Sequence, residues 1–113
     1  MGLRRRRDVL LALVATPAAR GQTLEEHRSR IDDLDRRIVA LLNERAEVVG
    51  QIARLKRETG LPVTVPARER EVFRNVTSEA RALPADSVRR IYERILVEMK
   101  AAERAAMRRR GEP

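Results

Sequence analysis

The feature that most constrains the fold is a seven-residue apolar repeat in the first half of the chain. Such a repeat predicts a long helix that packs against other helices in the manner of a coiled coil. At ~1.5 Å per residue the helix would be roughly 50 Å long, too long for a compact monomer of this size, so a second chain should cover it. The two seam positions of the repeat hold Leu24, Ile31, Ile38, Arg45 and Ile52, and His27, Leu34, Leu41, Val48 and Leu55.

Capping and turn residues predict where this helix and two others begin and end. Thr23-Leu24-Glu25-Glu26 fits the capping-box pattern, and Gly60 followed by Pro62 suits a helix end. Pro66 fits the first turn of a second helix, and Leu83-Pro84-Ala85-Asp86 separates that helix from a third. The sequence therefore predicts an all-α domain over residues 23–110, with one long, one short and one medium helix. The predicted inner residues are Val72, Phe73, Val76 and Ala80 on the second helix, and Val88, Ile91, Tyr92, Ile95, Leu96, Met99, Ala102 and Ala106 on the third.

The composition agrees with an aliphatic helical core and limits the functional classes. Phe73 and Tyr92 are the only aromatic residues among 113, and so small a core favours an oligomer. The net charge is +8, but residues 1–22 hold five Arg against one acid, and the two signs are interspersed elsewhere. With no aromatic platform for bases, we expect no nucleic-acid partner. Without cysteine there is no disulfide or thiolate metal site, and the redox compartment stays open.

Residues 1–22 have the three parts of an export signal. Four arginines at 4–7 precede an apolar run at 9–15, and small residues follow at 16–19. Arg6-Arg7-Asp8-Val9-Leu10 is similar to a twin-arginine signal, which would deliver a folded protein to the periplasm. The apolar run is too short to span a bilayer. The alternative is a disordered basic extension or a misplaced start codon, and the protein would then be cytoplasmic.

Three charged residues lie where the helix patterns otherwise place apolar side chains. Arg45 occupies a seam position, and Lys56, 11 residues on, projects from the same face, about 20° around the helix. Glu103 falls on the apolar stripe of the third helix, four residues after Met99. Buried charge is costly unless it is paired or binds a ligand. Together the three indicate a pocket for a small molecule with more than one negative group. Pairing of Arg45 with Glu103, or polar seam residues that set the helix register, would explain single positions instead.

A series of motifs runs without a gap from Arg28 to Arg70. It comprises His27-Arg28-x-x-Ile31-x-x-Leu34-Asp35, Leu41-Leu42-x-Glu44-Arg45, Lys56, Gly60-Leu61-Pro62-Val63 and Pro66-Ala67-Arg68-Glu69-Arg70-Glu71. The series resembles the long first helix, the turn and the second-helix opening of the all-helical, type II chorismate mutases. The resemblance implies that the cationic active-site residues are Arg28, Arg45, Lys56 and Arg68, with Arg70 as the alternative to Arg68 if the register of the turn shifts.

The resemblance also implies the reaction, in which dianionic chorismate rearranges to prephenate with no cofactor and no metal. Arg28 and Arg45 would hold the two carboxylates, because the arginine fork suits bidentate contacts. Arg68 would help to close the site or orient the ring. Lys56 would donate a hydrogen bond to the ether oxygen as the C–O bond breaks. Catalysis would then consist of positioning and electrostatic stabilisation.

Three site positions depart from the family pattern. Val65 stands where many members have an Asp that contacts the substrate hydroxyl, and Met99 replaces a small polar residue. Glu103 stands where Gln is common; it would donate a hydrogen bond only when protonated, or stay ionised and pair with Arg45 or Lys56. The apolar turn at 65–67 also resembles the isochorismate-pyruvate lyases, which form salicylate on the same fold. A non-catalytic helical dimerisation module is the remaining alternative.

Residue spacing also predicts active sites shared between two chains. Arg28 precedes Arg45 by 17 residues, about 25 Å along a helix, so one chain cannot bring both to one small ligand. In an antiparallel, intertwined homodimer, Arg28 of the partner subunit would reach the Arg45 and Lys56 site. Two composite sites are therefore expected.

Overall fold

The computed structural model describes residues 22–110, which form three α-helices. Helix α1 is Leu24–Thr59, α2 is Pro66–Thr77 and α3 is Ala85–Arg110. The described residues contain no strand, which confirms the predicted all-α class with a long, a short and a medium helix. Contacts divide the chain into two units, and their boundary falls inside α1, between Leu41 and Leu42. The predicted export signal, apart from Gln22, lies outside the described residues.

Both ends of α1 are fixed by the local signals that the sequence carries. The Thr23 N–H donates to Glu26 Oε1 at 2.7 Å, and the Glu26 N–H donates to Thr23 Oγ1 at 3.1 Å, so the predicted capping box is confirmed. After Thr59, Gly60 has a φ of 75°, a left-handed conformation that glycine adopts without steric cost. The Leu61 N–H donates to the Lys56 carbonyl at 3.0 Å, which closes the Schellman turn.

Helix α2 begins as predicted and ends earlier than predicted. Pro66 is its first residue, where the missing N–H costs no helical hydrogen bond. Its last residue is Thr77, so extending the helix as far as Ala80 was wrong. The reason is local, because hydroxyl groups bind the carbonyls of the last turn. Thr77 Oγ1 donates to the Phe73 carbonyl, and Ser78 Oγ donates to the Asn75 carbonyl, each at 2.7 Å.

The first unit contains the N-terminal part of α1 and buries none of its described side chains. Every residue from 22 to 41 is exposed, although the seam of the apolar repeat passes through this segment. The exposed seam residues include large aliphatic side chains, which lose favourable burial when they face water. They are Leu24, Ile31, Leu34, Ile38 and Leu41.

The second unit holds the small core. Its buried hydrophobic residues, among those described, are Ala53 on α1, Val72 on α2 and Met99 on α3. Helix α2 packs against α3, and the Arg89 guanidinium lies 4.1 Å from the centre of the Phe73 ring. Within residues 22–110, none of the three helices has an apolar stretch that could span a bilayer.

Candidate active site

Lys56 and Glu103 meet in the second unit and form its most buried ion pair. Lys56 Nζ lies 2.9 Å from Glu103 Oε2, and the two side chains are only 15% and 8% exposed. Lys56 comes from the last turn of α1, and Glu103 comes from the C-terminal half of α3. The sequence left open whether Glu103 pairs with Arg45 or with Lys56, and the structure has the Lys56 pair.

The turn after α1 holds Lys56 from two sides. The backbone carbonyl of Lys56 accepts the Leu61 N–H, and the side-chain ammonium donates to the Val63 carbonyl at 2.9 Å. The Val63 carbonyl was missed by sequence reasoning, because a backbone acceptor leaves no mark on residue type. An ammonium has three N–H donors and the Val63 carbonyl takes one of them, so Lys56 keeps donor capacity for a ligand.

Glu103 is buried, and one of its carboxyl oxygens lacks a hydrogen bond. The whole residue is 6% exposed, and Oε2 has no hydrogen bond to any described residue. The 2.9 Å contact with Lys56 is therefore an electrostatic contact whose orientation is not that of a hydrogen bond. Met99, one turn earlier on α3, is also buried and covers the same face. A buried carboxyl oxygen with unused hydrogen-bonding capacity calls for an explanation, and a functional role in binding a ligand is one.

Arg45 belongs to the same unit and to the same face of α1 as Lys56. Its side chain is half-buried, and it makes no ion pair within residues 22–110. The 11-residue spacing places the two cations about 16 Å apart along the helix axis, at nearly the same angle around it. Long arginine and lysine side chains can therefore approach a small anion from its two ends.

The opening of α2 contributes two of the predicted residues. Val65 precedes the helix in an extended conformation, half-buried, and makes no side-chain cap. Arg68 is exposed and donates to Glu71 on its own helix at 2.6 Å. In the single chain, Arg68 is thus held by a local pair and is not joined to the Lys56 and Glu103 pair. Arg70, the alternative, is also exposed.

Arg28 lies in the first unit and is described there by itself. Its side chain is exposed and pairs with Glu25 at 3.3 Å, one turn earlier on α1. Exposed pairs of this kind contribute little to stability, so the guanidinium remains available to another partner.

An interhelical ion pair beside the predicted residues was missed. Lys100 Nζ lies 2.8 Å from Glu69 Oε2, and the side chains are 25% and 28% exposed. Lys100 precedes Glu103 by one turn, and Glu69 follows Arg68 directly. The i, i+3 spacing to Glu103 was the available signal, because residues three apart share a helix face.

The described residues form an all-helical domain in which a lysine and a buried glutamate from two helices make an ion pair, and Arg45 lies on the same face of α1 as that lysine. The sequence model described as chorismate mutase type II matches residues 27–104, well over half of the chain. The chain therefore belongs to the type II chorismate mutase family, which confirms the resemblance found in the sequence.

Several characterised proteins are similar to parts of this chain. The bifunctional chorismate mutase/prephenate dehydratase of Aquifex aeolicus is 44% identical over 55 residues, which are 49% of this chain and 15% of that protein. The T-protein of Haemophilus influenzae is 33% identical over 84 residues, 73% of this chain and 22% of that protein. The chorismate mutase of Methanocaldococcus jannaschii is 33% identical over 52 residues, 46% of this chain and 52% of that protein. The chain spans less than a quarter of the first two relatives.

Proposed function

We propose that this protein is a chorismate mutase, which rearranges chorismate to prephenate. The observation that carries the proposal is the partly buried Lys56 ammonium, which contacts the Val63 carbonyl and Glu103 on a domain of the mutase family. Two relatives are named for the same activity, the Aquifex aeolicus and Methanocaldococcus jannaschii proteins. In the rearrangement the ether C–O bond breaks and a C–C bond forms within one molecule, so no group is transferred to the protein.

Lys56 stabilises the transition state by donating its free N–H to the ether oxygen. Negative charge develops on that oxygen as the C–O bond lengthens, and a donor already fixed in place pays no reorganisation cost. The fixed geometry comes from the Schellman turn and the Val63 carbonyl, which restrain the lysine from the backbone and from the side chain. Burial strengthens the contact because water screens it less.

Glu103 acts beside Lys56 through the oxygen that lacks a hydrogen bond. In its protonated form the side chain donates a second hydrogen bond to the ether oxygen, whereas the carboxylate would repel the developing charge. In the free protein the ion pair with Lys56 stabilises the Glu103 carboxylate.

The arginines bind the two substrate carboxylates and fix the reactive conformation. Arg45 projects from the Lys56 face of α1 and supplies one planar fork, and Arg68 leaves Glu71 to close the site from α2. Holding the substrate in its compact, near-attack geometry supplies a large part of the rate enhancement of such a unimolecular reaction.

The working unit is an antiparallel, intertwined homodimer in which Arg28 of the partner subunit completes each site. Support comes from the exposed seam of the first unit, whose aliphatic residues have no cover within residues 22–41. In the second unit the seam residues Val48, Ile52 and Leu55 are exposed as well. A second copy would bury both stretches, and at about 25 cal/mol per Å² this burial supplies the stability that the small core lacks.

A second candidate activity is isochorismate-pyruvate lyase on the same fold. The half-buried, apolar Val65 favours it, because that position offers no polar group to the hydroxyl of chorismate. The two activities act on isomeric substrates and differ in their products.

Export to the periplasm is proposed for the chain on the basis of residues 1–22. The arginines at 4–7, the apolar run at 9–15 and the small residues at 16–19 support it.

Product analysis tests the proposed function. Residues 23–113 are incubated separately with chorismate and with isochorismate, and the products are identified by chromatography and mass spectrometry. Prephenate from chorismate is the expected result. Salicylate and pyruvate from isochorismate, without prephenate from chorismate, would establish the lyase instead, and turnover of neither compound would favour the dimerisation module.

A further inference from the structure

The opening of α2 is fixed to α3 by one charged contact. Val65 makes no side-chain cap, so the first turn of α2 lacks the usual hydroxyl or carboxylate that anchors a helix start. Its first backbone bonds are those from the Arg68 and Glu69 N–H groups to the Val65 carbonyl, at 3.0 and 3.1 Å. Glu69 Oε2 then lies 2.8 Å from Lys100 Nζ of α3.

This contact differs from the two ion pairs that form within α3. The Arg89–Glu93 and Arg94–Glu98 pairs join residues of one helix turn and are well exposed. The Glu69–Lys100 pair joins two helices and is about three-quarters buried, so its geometry is constrained and its charge is less screened. Its two members lie directly after Arg68 on α2 and one turn before Glu103 on α3.

We propose that Lys100 is a positioning residue of the active site, which acts through Glu69. Its ammonium holds the first turn of α2, and with it Arg68, at a fixed place on α3 one turn from Glu103. The inference rests on the proposed mutase function, because Arg68 is assigned there to substrate binding. Without the Glu69–Lys100 pair, the uncapped first turn of α2 moves, and Arg68 must be ordered each time substrate binds.

Loss of the Glu69–Lys100 pair weakens substrate binding more than it slows the chemical step. The ordering of a loosened turn is completed on binding, so it reduces affinity for substrate and transition state alike. For Lys100→Met we expect the KM for chorismate to rise roughly threefold to tenfold, which lies in the lower part of the range of coupling between contacting residues, with kcat changed less than about twofold.

A double-mutant cycle tests whether Lys100 acts through Glu69. Kinetics are measured for Lys100→Met, Glu69→Gln and the double variant, with Arg94→Met as the matched control, because Arg94 is an exposed, paired cation on the same helix. If the pair acts as a unit, each single variant raises KM and the double variant is no worse than either. Lys100→Arg keeps the pair and should keep most of the affinity. Effects of the two single variants that multiply in the double variant would overturn the proposal, as would a Lys100→Met variant that behaves like Arg94→Met.

Amide hydrogen exchange gives a readout that does not depend on turnover. The Arg68 and Glu69 amides should exchange faster in Lys100→Met and Glu69→Gln than in wild type, Arg94→Met or Lys100→Arg. Unchanged exchange at these amides would overturn the positioning role whatever the kinetics show. If wild-type protein turns over no chorismate, the proposed function fails, but the exchange comparison still decides whether Lys100 holds the turn.

Discussion

Replacing Glu103 by Gln removes one charge from the buried ion pair with almost no change in volume. The Lys56 and Glu103 side chains are 15% and 8% exposed, so water screens the pair weakly. Removing one partner of a buried pair costs about 3–5 kcal/mol, because the other charge stays buried without compensation. Lys56 retains the Val63 carbonyl, so we expect the lower end, about 3 kcal/mol. That loss changes the folding equilibrium by more than about a hundredfold.

Urea denaturation followed by circular dichroism measures this loss. Protein concentration is held constant between variants, because the stability of a dimer depends on it. Glu98→Gln is the matched control, since Glu98 lies on the same helix in an exposed pair with Arg94 at 2.6 Å. Exposed i, i+4 pairs contribute about 0.5 kcal/mol or less. A Glu103→Gln variant that loses no more than Glu98→Gln would refute the conclusion that the buried pair stabilises the fold.

The pH–rate profile of the same variant decides the catalytic role of Glu103. Glu103 pairs with Lys56 of α1, and Lys100, one turn earlier on α3, pairs with Glu69 of α2. If protonated Glu103 donates to the ether oxygen, wild-type activity falls toward alkaline pH, whereas Glu103→Gln keeps a flat profile because the amide donates at every pH. Activity that falls in Glu103→Gln across the whole range would assign Glu103 to the positioning of Lys56 alone.

Three further predictions address the substrate, the oligomeric state and the export signal. Val65→Asp should raise kcat/KM for chorismate about tenfold, since a hydrogen bond to a charged group contributes ~1.5–3 kcal/mol; a neutral or harmful effect would indicate a different substrate. Mixing inactive Arg28→Ala with inactive Arg45→Ala subunits should restore some activity, because one site of each heterodimer escapes both changes; subunit exchange without recovery would count against shared sites. Mass spectrometry of the protein from its native host should find a start near Ala19 or Arg20, and retention of Met1 or Gly2 would contradict export.

Local signals made most of the fold predictable. The Thr23 and Glu26 capping box, the Gly60 cap and Pro66 each act within one helical turn, and each lies where the sequence placed it. The end of α2 was less predictable, because competing Thr77 and Ser78 hydroxyls stop the helix without a glycine or proline. Hydroxyl groups of this kind are compatible with both a helix interior and a helix end.

Contacts between helices were only partly predictable. Periodicity placed Lys56 and Glu103 on inward faces, but their pairing depends on how α1 and α3 meet in space. Lys100 was missed because a lysine beside an apolar stripe is usually solvated, and its partner Glu69 is distant in sequence. The contact between Lys56 and the Val63 carbonyl could not be predicted from residue types, because every residue has a backbone carbonyl.

The kinetics of Lys56→Met show whether the lysine held by the turn after α1 drives the rearrangement. Prephenate formation from chorismate is measured for residues 23–113 with Lys56 intact or replaced, after circular dichroism confirms that both proteins are helical. We predict prephenate from the wild type and a loss of about 10²–10³-fold in kcat for the variant, the effect of removing one fixed donor to a developing oxyanion. A Lys56→Met variant that forms prephenate at the wild-type rate would contradict the account.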